Sequence, residues 1–157
     1  MKVLGIDPGF KTTGYGLLEV EGTAVRLVET GLIEPKPKDL VEFRLQTVYQ
    51  LLGELLEEHK PDVMVLEKLY AHAQHPATAF KLGHVRGVIC LLCAKHKMTL
   101  VEESPKRVRK AVTGNGNASK QQTKAMVAKL LHIPQERLTY DASDALALAL
   151  GYIQMKR

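Results

Sequence analysis

Two short apolar runs in this chain each end on a carboxylic acid: Val3-Leu4-Gly5-Ile6 on Asp7, and Val63-Met64-Val65-Leu66 on Glu67. Continuous apolar runs of this length suit strands buried on both faces, as in a parallel sheet covered by helices. Pro8-Gly9 closes the first run with a turn pair, and Lys60-Pro61 stands just ahead of the second. If the two strands share a sheet, both acids emerge at its carboxyl edge, where open α/β sheets place their ligands. A buried sheet with an acidic rim is the first constraint on the fold.

The remaining segments supply partners for that sheet. Residues 14–20 and 24–33 read as strands, with Glu21-Gly22 between them as a hairpin signal. Pro35-Lys36-Pro37-Lys38 is a stiff connector. Asp39, followed by Glu42, has the pattern of a capping box, and Val41, Leu45, Val48, Leu52 and Leu55 recur at helical spacing. A long helix is predicted over 76–97; its second half is apolar nearly all round, which implies deep burial or a partner surface. Residues 98–101 form a further strand. Ser104-Pro105 then opens a short basic helix, and Gly114-Asn115-Gly116-Asn117 is a loop. Ser119 and Gln122 cap a helix reaching about Leu131, and Asp141 starts a last helix rich in alanine and leucine. Three strands, then helix, strand, helix, strand and helices, describe a mixed sheet flanked by helices. The 157 residues fit one domain, 1–157.

Charge narrows the partners only a little. The 22 Lys and Arg against 17 Asp and Glu give +5. That excess suits a polyanion, whose condensed counterions are released on binding, although an ordinary lysine-rich protein has the same balance. Asp7 interrupts the opening apolar run too early for a signal peptide. No stretch approaches the roughly 20 apolar residues of a membrane span, so the expectation is a cytoplasmic protein with no membrane role. Cys90 and Cys93 lie inside an apolar run and are expected to be buried small hydrophobes, neither a redox pair nor a zinc site.

Asp141 and Asp144 are three apart, hence on one helical face. If they joined Asp7 and Glu67, four acids would repel one another unless cations bound between them. Mg²⁺ favours such hard oxygen ligands, and two ions about 3.5–4 Å apart serve in-line cleavage of phosphodiesters. Each acid also has a local role open to it. Asp7 could make an Asx-turn, Glu67 could be a solvated strand end, and Asp141 could cap its helix with Asp144 meeting the dipole. Spacing leaves capping and metal binding both open, and does not show convergence.

Four blocks of the sequence resemble the RuvC family of Holliday junction resolvases, in that family's order and across nearly the whole chain. They are Gly5-Ile6-Asp7-Pro8-Gly9 continuing through Thr13-Gly14-Tyr15-Gly16; Val65-Leu66-Glu67 with Lys81-Leu82-Gly83 and Arg86-Gly87; Ser104-Pro105 with Val108-Arg109-Lys110 and Gly114-Asn115-Gly116; and Asp141-Ala142-Ser143-Asp144-Ala145-Leu146-Ala147. The resemblance implies a ribonuclease H-like α/β fold, a five-stranded mixed sheet with helices on both faces. It implies a homodimer that holds four-way junction DNA and nicks two opposing strands, leaving 5′-phosphate and 3′-hydroxyl ends. Its catalytic and metal-binding acids carry over onto Asp7, Glu67, Asp141 and Asp144, with Mg²⁺ as cofactor, two ions per site, and Mn²⁺ able to substitute. Tyr70 falls where members place an aromatic that stacks on bases, a contact worth about 1–3 kcal/mol per base. Arg109 and Lys120 match positions linked to the DNA backbone, and Lys106, Arg107 and Lys110 add charge beside them. His72 and His75 flank the same loop as Tyr70. A branch-migration motor is the family's usual companion.

Two other readings compete. Actin-like ATPases and sugar kinases also open on a strand and a DxG loop, as Asp7, Gly9 and Thr12 or Thr13 do, but they need a second lobe for which this chain has no room. A non-catalytic junction-binding or RNA-processing relative of the same fold is the alternative, and the presence of all four acids weighs against it.

Overall fold

Five strands, β1 (Lys2–Asp7), β2 (Thr13–Glu21), β3 (Ala24–Ile33), β4 (Val63–Glu67) and β5 (Thr99–Glu103), form one sheet in the order β3-β2-β1-β4-β5. The first three make an antiparallel meander, whereas β4 and β5 join β1 in parallel. The helices are α1 (Val41–His59), α2 (Pro76–Lys95), α3 (Pro105–Thr113), α4 (Lys120–Leu130) and α5 (Tyr140–Lys156). This computed structural model describes residues 1–69 and 76–157. It has the mixed five-stranded α/β architecture expected from the sequence, with every expected strand present.

The unbroken apolar runs have a simple cause. Val3 in β1 and Val63 and Val65 in β4 enter one core, with Val108, Val127, Leu146 and Ile153 from α3, α4 and α5. Leu4, Ile6, Met64 and Leu66 enter a second core on the other face, with Val48 and Leu52 of α1 and Ile89 and Leu92 of α2. Both faces are covered, so neither register position can be polar. Each such side chain contributes about 1.5–3 kcal/mol on burial.

Helix α5 lies unusually close to the strands. A Cβ on Gly5 would stand 1.9 Å from the Ala145 carbonyl oxygen, and one on Gly14 would stand 2.2 Å from that of Asp141. Ala145 and Ala149, fully buried on the facing side of α5, complete this small-residue contact.

Two sequence expectations are corrected. The Asp39/Glu42 capping box does not form: the N-cap of α1 is Leu40, with no side-chain bond to the helix start. Buried Arg44 organises this corner instead, donating to the carbonyls of Asp39, Pro37 and Phe10. Helix α2, contrary to the reading that no segment qualifies, is long and apolar enough by length and composition to cross a membrane. Its docking accounts for part of that composition, since Val85, Ile89, Leu92 and Cys93 are buried against the domain beside a buried Arg86. The outward side keeps Phe80 at 74% and Leu91 at 62% exposure. Cys93 is buried and Cys90 half-buried, both as free thiols, and burial raises the Cys93 thiol further above its ordinary range.

The Gly5 contact is testable. Gly5→Ala is expected to destabilise the domain by at least about 3 kcal/mol, because the new methyl meets backbone that cannot yield. A urea midpoint equal to that of the parent would mean that α5 does not rest on this strand.

Candidate active site at the carboxyl edge of the sheet

Parallel pairing sets Ile6 opposite Leu66, so the next residues, Asp7 and Glu67, leave the sheet side by side. On its other flank Asp7 pairs with Gly14 of β2. The missing side chain there lets the first turn of α5 descend onto the strand, bringing Asp141 and Asp144 towards Asp7. A cavity of about 140 Å³ results, lined by Asp7, Glu67 and Asp144, by Arg109 of α3, and by Lys120 and Thr123 of α4. Asp141 stays outside this lining, yet is near enough for its charge to act on both Asp7 and Lys120.

The local roles open to two of the acids are taken by other residues. The N-cap of α5 is Thr139, whose hydroxyl accepts from the Ala142 N–H at 3.2 Å; Asp141 is therefore inside the first turn and not its cap, which closes the capping alternative. The turn after Asp7 is closed by Thr13, whose Oγ1 accepts from the Gly9 N–H at 3.4 Å and donates to the Gly9 carbonyl at 3.2 Å. Among the described residues no hydrogen bond engages the Asp7 carboxylate. Both carboxylates are left without capping work.

Crowding shows in the protonation of the pocket. Asp7 is pushed up to about 7, first by burial and then by repulsion from Asp144, Glu67 and Asp141, with Lys120 opposing. Burial, then Asp144, likewise raises Glu67, against the pull of Arg109, Lys120 and Arg86. Lys120 donates to Asp144 Oδ2 at 2.9 Å, a bond that holds its ammonium above the ordinary lysine range. The donor set is carboxylate oxygen throughout, which suits a hard cation such as Mg²⁺. Among the described residues no three acids already enclose a common point as ligands. Asp144, the acid bonded to Lys120, would have to give up that bond to serve as a metal ligand.

The basic residues divide into two sets. Arg109 and Lys120 reach the pocket. Lys106, Arg107 and Lys110 lie on the exposed side of α3, where Arg107 pairs with Glu103 at 3.3 Å while Val108 and Val112 face the core. Tyr70, His72 and His75 lie outside the described residues. Sequence reasoning quoted Arg86 only as part of a block, yet it is 8% exposed and donates to the main chain of Glu67. A cation in the middle of an apolar helix was the available signal.

Comparison with known proteins bears on this site. A family model described as crossover junction endodeoxyribonuclease RuvC matches residues 3–152. The protein of that description from Thermomicrobium roseum is 40% identical over 157 residues, covering 100% of this chain and 95% of its own length. The Thermus thermophilus RuvC structure superposes with a TM-score of 0.89 at 26% identity, covering 100% of this chain and 96% of that one. T. thermophilus RuvC in complex with Holliday junction substrate gives the same TM-score at 24% identity, with the same coverage of both chains.

The raised Asp7 has a consequence for stability. Between about pH 4 and pH 7 the native carboxyl keeps a proton that the unfolded chain has released, so metal-free stability falls as pH rises through that window. Asp7→Asn removes the term and is expected to stabilise the metal-free protein at pH 8 by about 1–3 kcal/mol, with little gain at pH 4. Equal thermal midpoints for the two proteins at pH 8 would show that the acids do not crowd.

Proposed function

Because this chain belongs to the RuvC family of crossover junction endodeoxyribonucleases, we propose that Asp7, Glu67, Asp141 and Asp144 are its catalytic acids. It is a Holliday junction resolvase, a phosphodiester hydrolase of recombination and repair, and its catalysis is metal-dependent. The observation that carries the residue assignment is the convergence of half-buried Asp7, Glu67 and Asp144 on one pocket, with Asp141 near enough to add its charge. The deficit of positive charge there is what a divalent ion would correct.

The carboxylate donors suit Mg²⁺, and the family resemblance adds two ions per site, with Mn²⁺ as a substitute. Bound there, such ions would supply Lewis-acid stabilisation at phosphorus and lower the pKa of an attacking water. Asp7, on a rigid strand end and electrostatically coupled to all three other acids, would be the central ligand. Glu67 approaches from β4, and Asp141 and Asp144 from one face of α5. Arg109 and Lys120 flank the pocket as phosphate contacts; Lys120, released from Asp144, turns from an internal counter-ion into a hold on the scissile strand. Lys106, Arg107 and Lys110 extend the basic track along α3, and phosphate positioning is the usual work of such residues. Tyr70, three residues beyond Glu67, is assigned to base stacking through the family resemblance.

A four-way junction presents two equivalent strands, so two symmetry-related sites are needed for paired nicks. The second site comes from a second copy of this chain. The outward side of α2 fits that copy, since Phe80, Gly83, Gly87 and Leu91 are exposed along one side, with His84 among them and two glycines permitting close approach. The nicks leave 5′-phosphate and 3′-hydroxyl ends. The setting is the cytoplasm, beside the motor that drives branch migration.

Two outcomes test this reading. Asp7→Asn is expected to bind synthetic four-way junctions within about twofold of the parent and to cut them at least about 10³-fold more slowly in Mg²⁺. Linear duplex and RNA–DNA hybrid serve as controls that the parent leaves intact. Loss of binding together with cleavage, in a folded protein, counts against the assignment. Leu91→Glu is expected to convert dimer to monomer in sedimentation velocity at micromolar concentration; an unchanged dimer removes α2 from the interface.

A further inference from the structure

The end of β4 is held from outside the sheet by a buried cation. Arg86, midway along α2, donates through Nη1 to the main-chain carbonyl of Glu67 at 2.7 Å and through Nη2 to the Glu102 carboxylate. Leu66 pairs with Glu102 and Glu67 with Glu103 in the β4–β5 ladder, and the Lys68 N–H donates to the Glu103 carbonyl at 2.8 Å. One guanidinium therefore ties α2, β4 and β5 together at the residue that carries the Glu67 carboxylate.

Such a bond is not incidental. A cation buried to this degree is costly unless its donors are satisfied, and here they are spent on a strand-end carbonyl and an acid of the neighbouring strand. Fixing the Glu67 peptide fixes the direction of its Cα–Cβ bond, and so the place where its carboxylate meets the pocket. The planar fork of arginine can span both acceptors at once, whereas the point charge of lysine cannot hold the same geometry.

We infer that Arg86 is the positioning residue for Glu67: it sets how that carboxylate meets a divalent ion, and it couples that setting to α2, the helix assigned above to the partner copy. The inference rests on the nuclease reading and deepens it. Groups that orient ligands from behind typically change metal affinity about 10–100-fold when removed.

The test uses the full chain carrying Arg86→Gln, Arg86→Lys or Glu102→Gln. Mn²⁺ binding without DNA is followed by titration calorimetry, beside the Mg²⁺ concentration giving half-maximal junction cleavage. Arg86→Gln is expected to weaken Mn²⁺ binding about tenfold and to raise the Mg²⁺ requirement equally, with most of the rate restored at saturating Mg²⁺. Junction affinity in Ca²⁺ and the sedimentation coefficient should stay unchanged, which separates positioning from loss of fold. Arg86→Lys should fall between the parent and Arg86→Gln. Glu102→Gln, at an exposed acid, should shift both readouts in the same direction by about threefold. Parent-like Mn²⁺ affinity in Arg86→Gln overturns the inference; if that variant does not fold, parent-like affinity in both other variants overturns it. A parent protein that neither cuts junctions in Mg²⁺ nor loses Mn²⁺ binding on Asp7→Asn instead removes the nuclease reading itself.

Discussion

The seat of α5 on Gly5 and Gly14 is the contact on which the acidic edge depends. Neither position has room for a Cβ, since the carbonyls of Ala145 and Asp141 occupy the space. With ordinary side chains at those positions, α5 would ride higher on the sheet. Asp141 and Asp144 would then stand off from Asp7 and Glu67, and the four charges would be independent surface acids. The two glycines turn a helix that carries acids into the wall of a pocket. They add nothing to the chemistry themselves, and their effect is entirely one of distance.

That proximity has an electrostatic cost which the rest of the fold carries. Asp7 is partly buried among like charges, and both burial and repulsion disfavour its charged form. Lys120 relieves part of this by bonding to Asp144, and Arg109 acts on Glu67. The apolar cores on both faces of the sheet supply the stability that lets such a cluster persist. Two nearby cations leave four carboxylates only partly compensated, however, a deficit that a divalent ion would correct. On the proposed reading Lys120 would change partner as a cation bound, linking charge balance in the resting protein to phosphate contact in the working one.

Local chemistry was legible in the sequence where both partners lie within a few residues. Ser104 and Ser119 cap their helices as read, the latter in a full capping box with Gln122. The two strands ending on Asp7 and Glu67 were legible because burial on both faces leaves unbroken apolar runs. The failures are non-local or close competitions. Asp39 and Glu42 had the right spacing, but Arg44 gathers the neighbouring carbonyls and the N-cap position falls on Leu40. Thr139 outcompetes Asp141 for the α5 cap by lying two residues earlier, at the true helix boundary. The meeting of Asp7 with α5 depends on strand order and on a glycine contact that spans most of the chain, which no spacing rule encodes. Arg86 was overlooked because its acceptors lie 19 and 16 residues away and are reached only once β4 and β5 pair.

The sheet also keeps two tasks from interfering. The acids, α3, α4 and α5 belong to one face, whereas α1 and α2 pack on the other. A second copy seated on the outward side of α2 would therefore leave the pocket open to DNA, and two such pockets would be carried on one symmetric body. Complete separation would make the sites indifferent to assembly. The carboxyl end of β4 is where the two faces meet: its Glu67 side chain lines the pocket, while its carbonyl is bonded to Arg86 of α2. A small shift of α2 along its axis would be felt first at that peptide, since interior packing transmits displacement with little loss. Under the proposed reading, metal affinity and pairing of copies would be joined through this one strand end, because Arg86 of α2 bonds the peptide whose side chain lines the pocket.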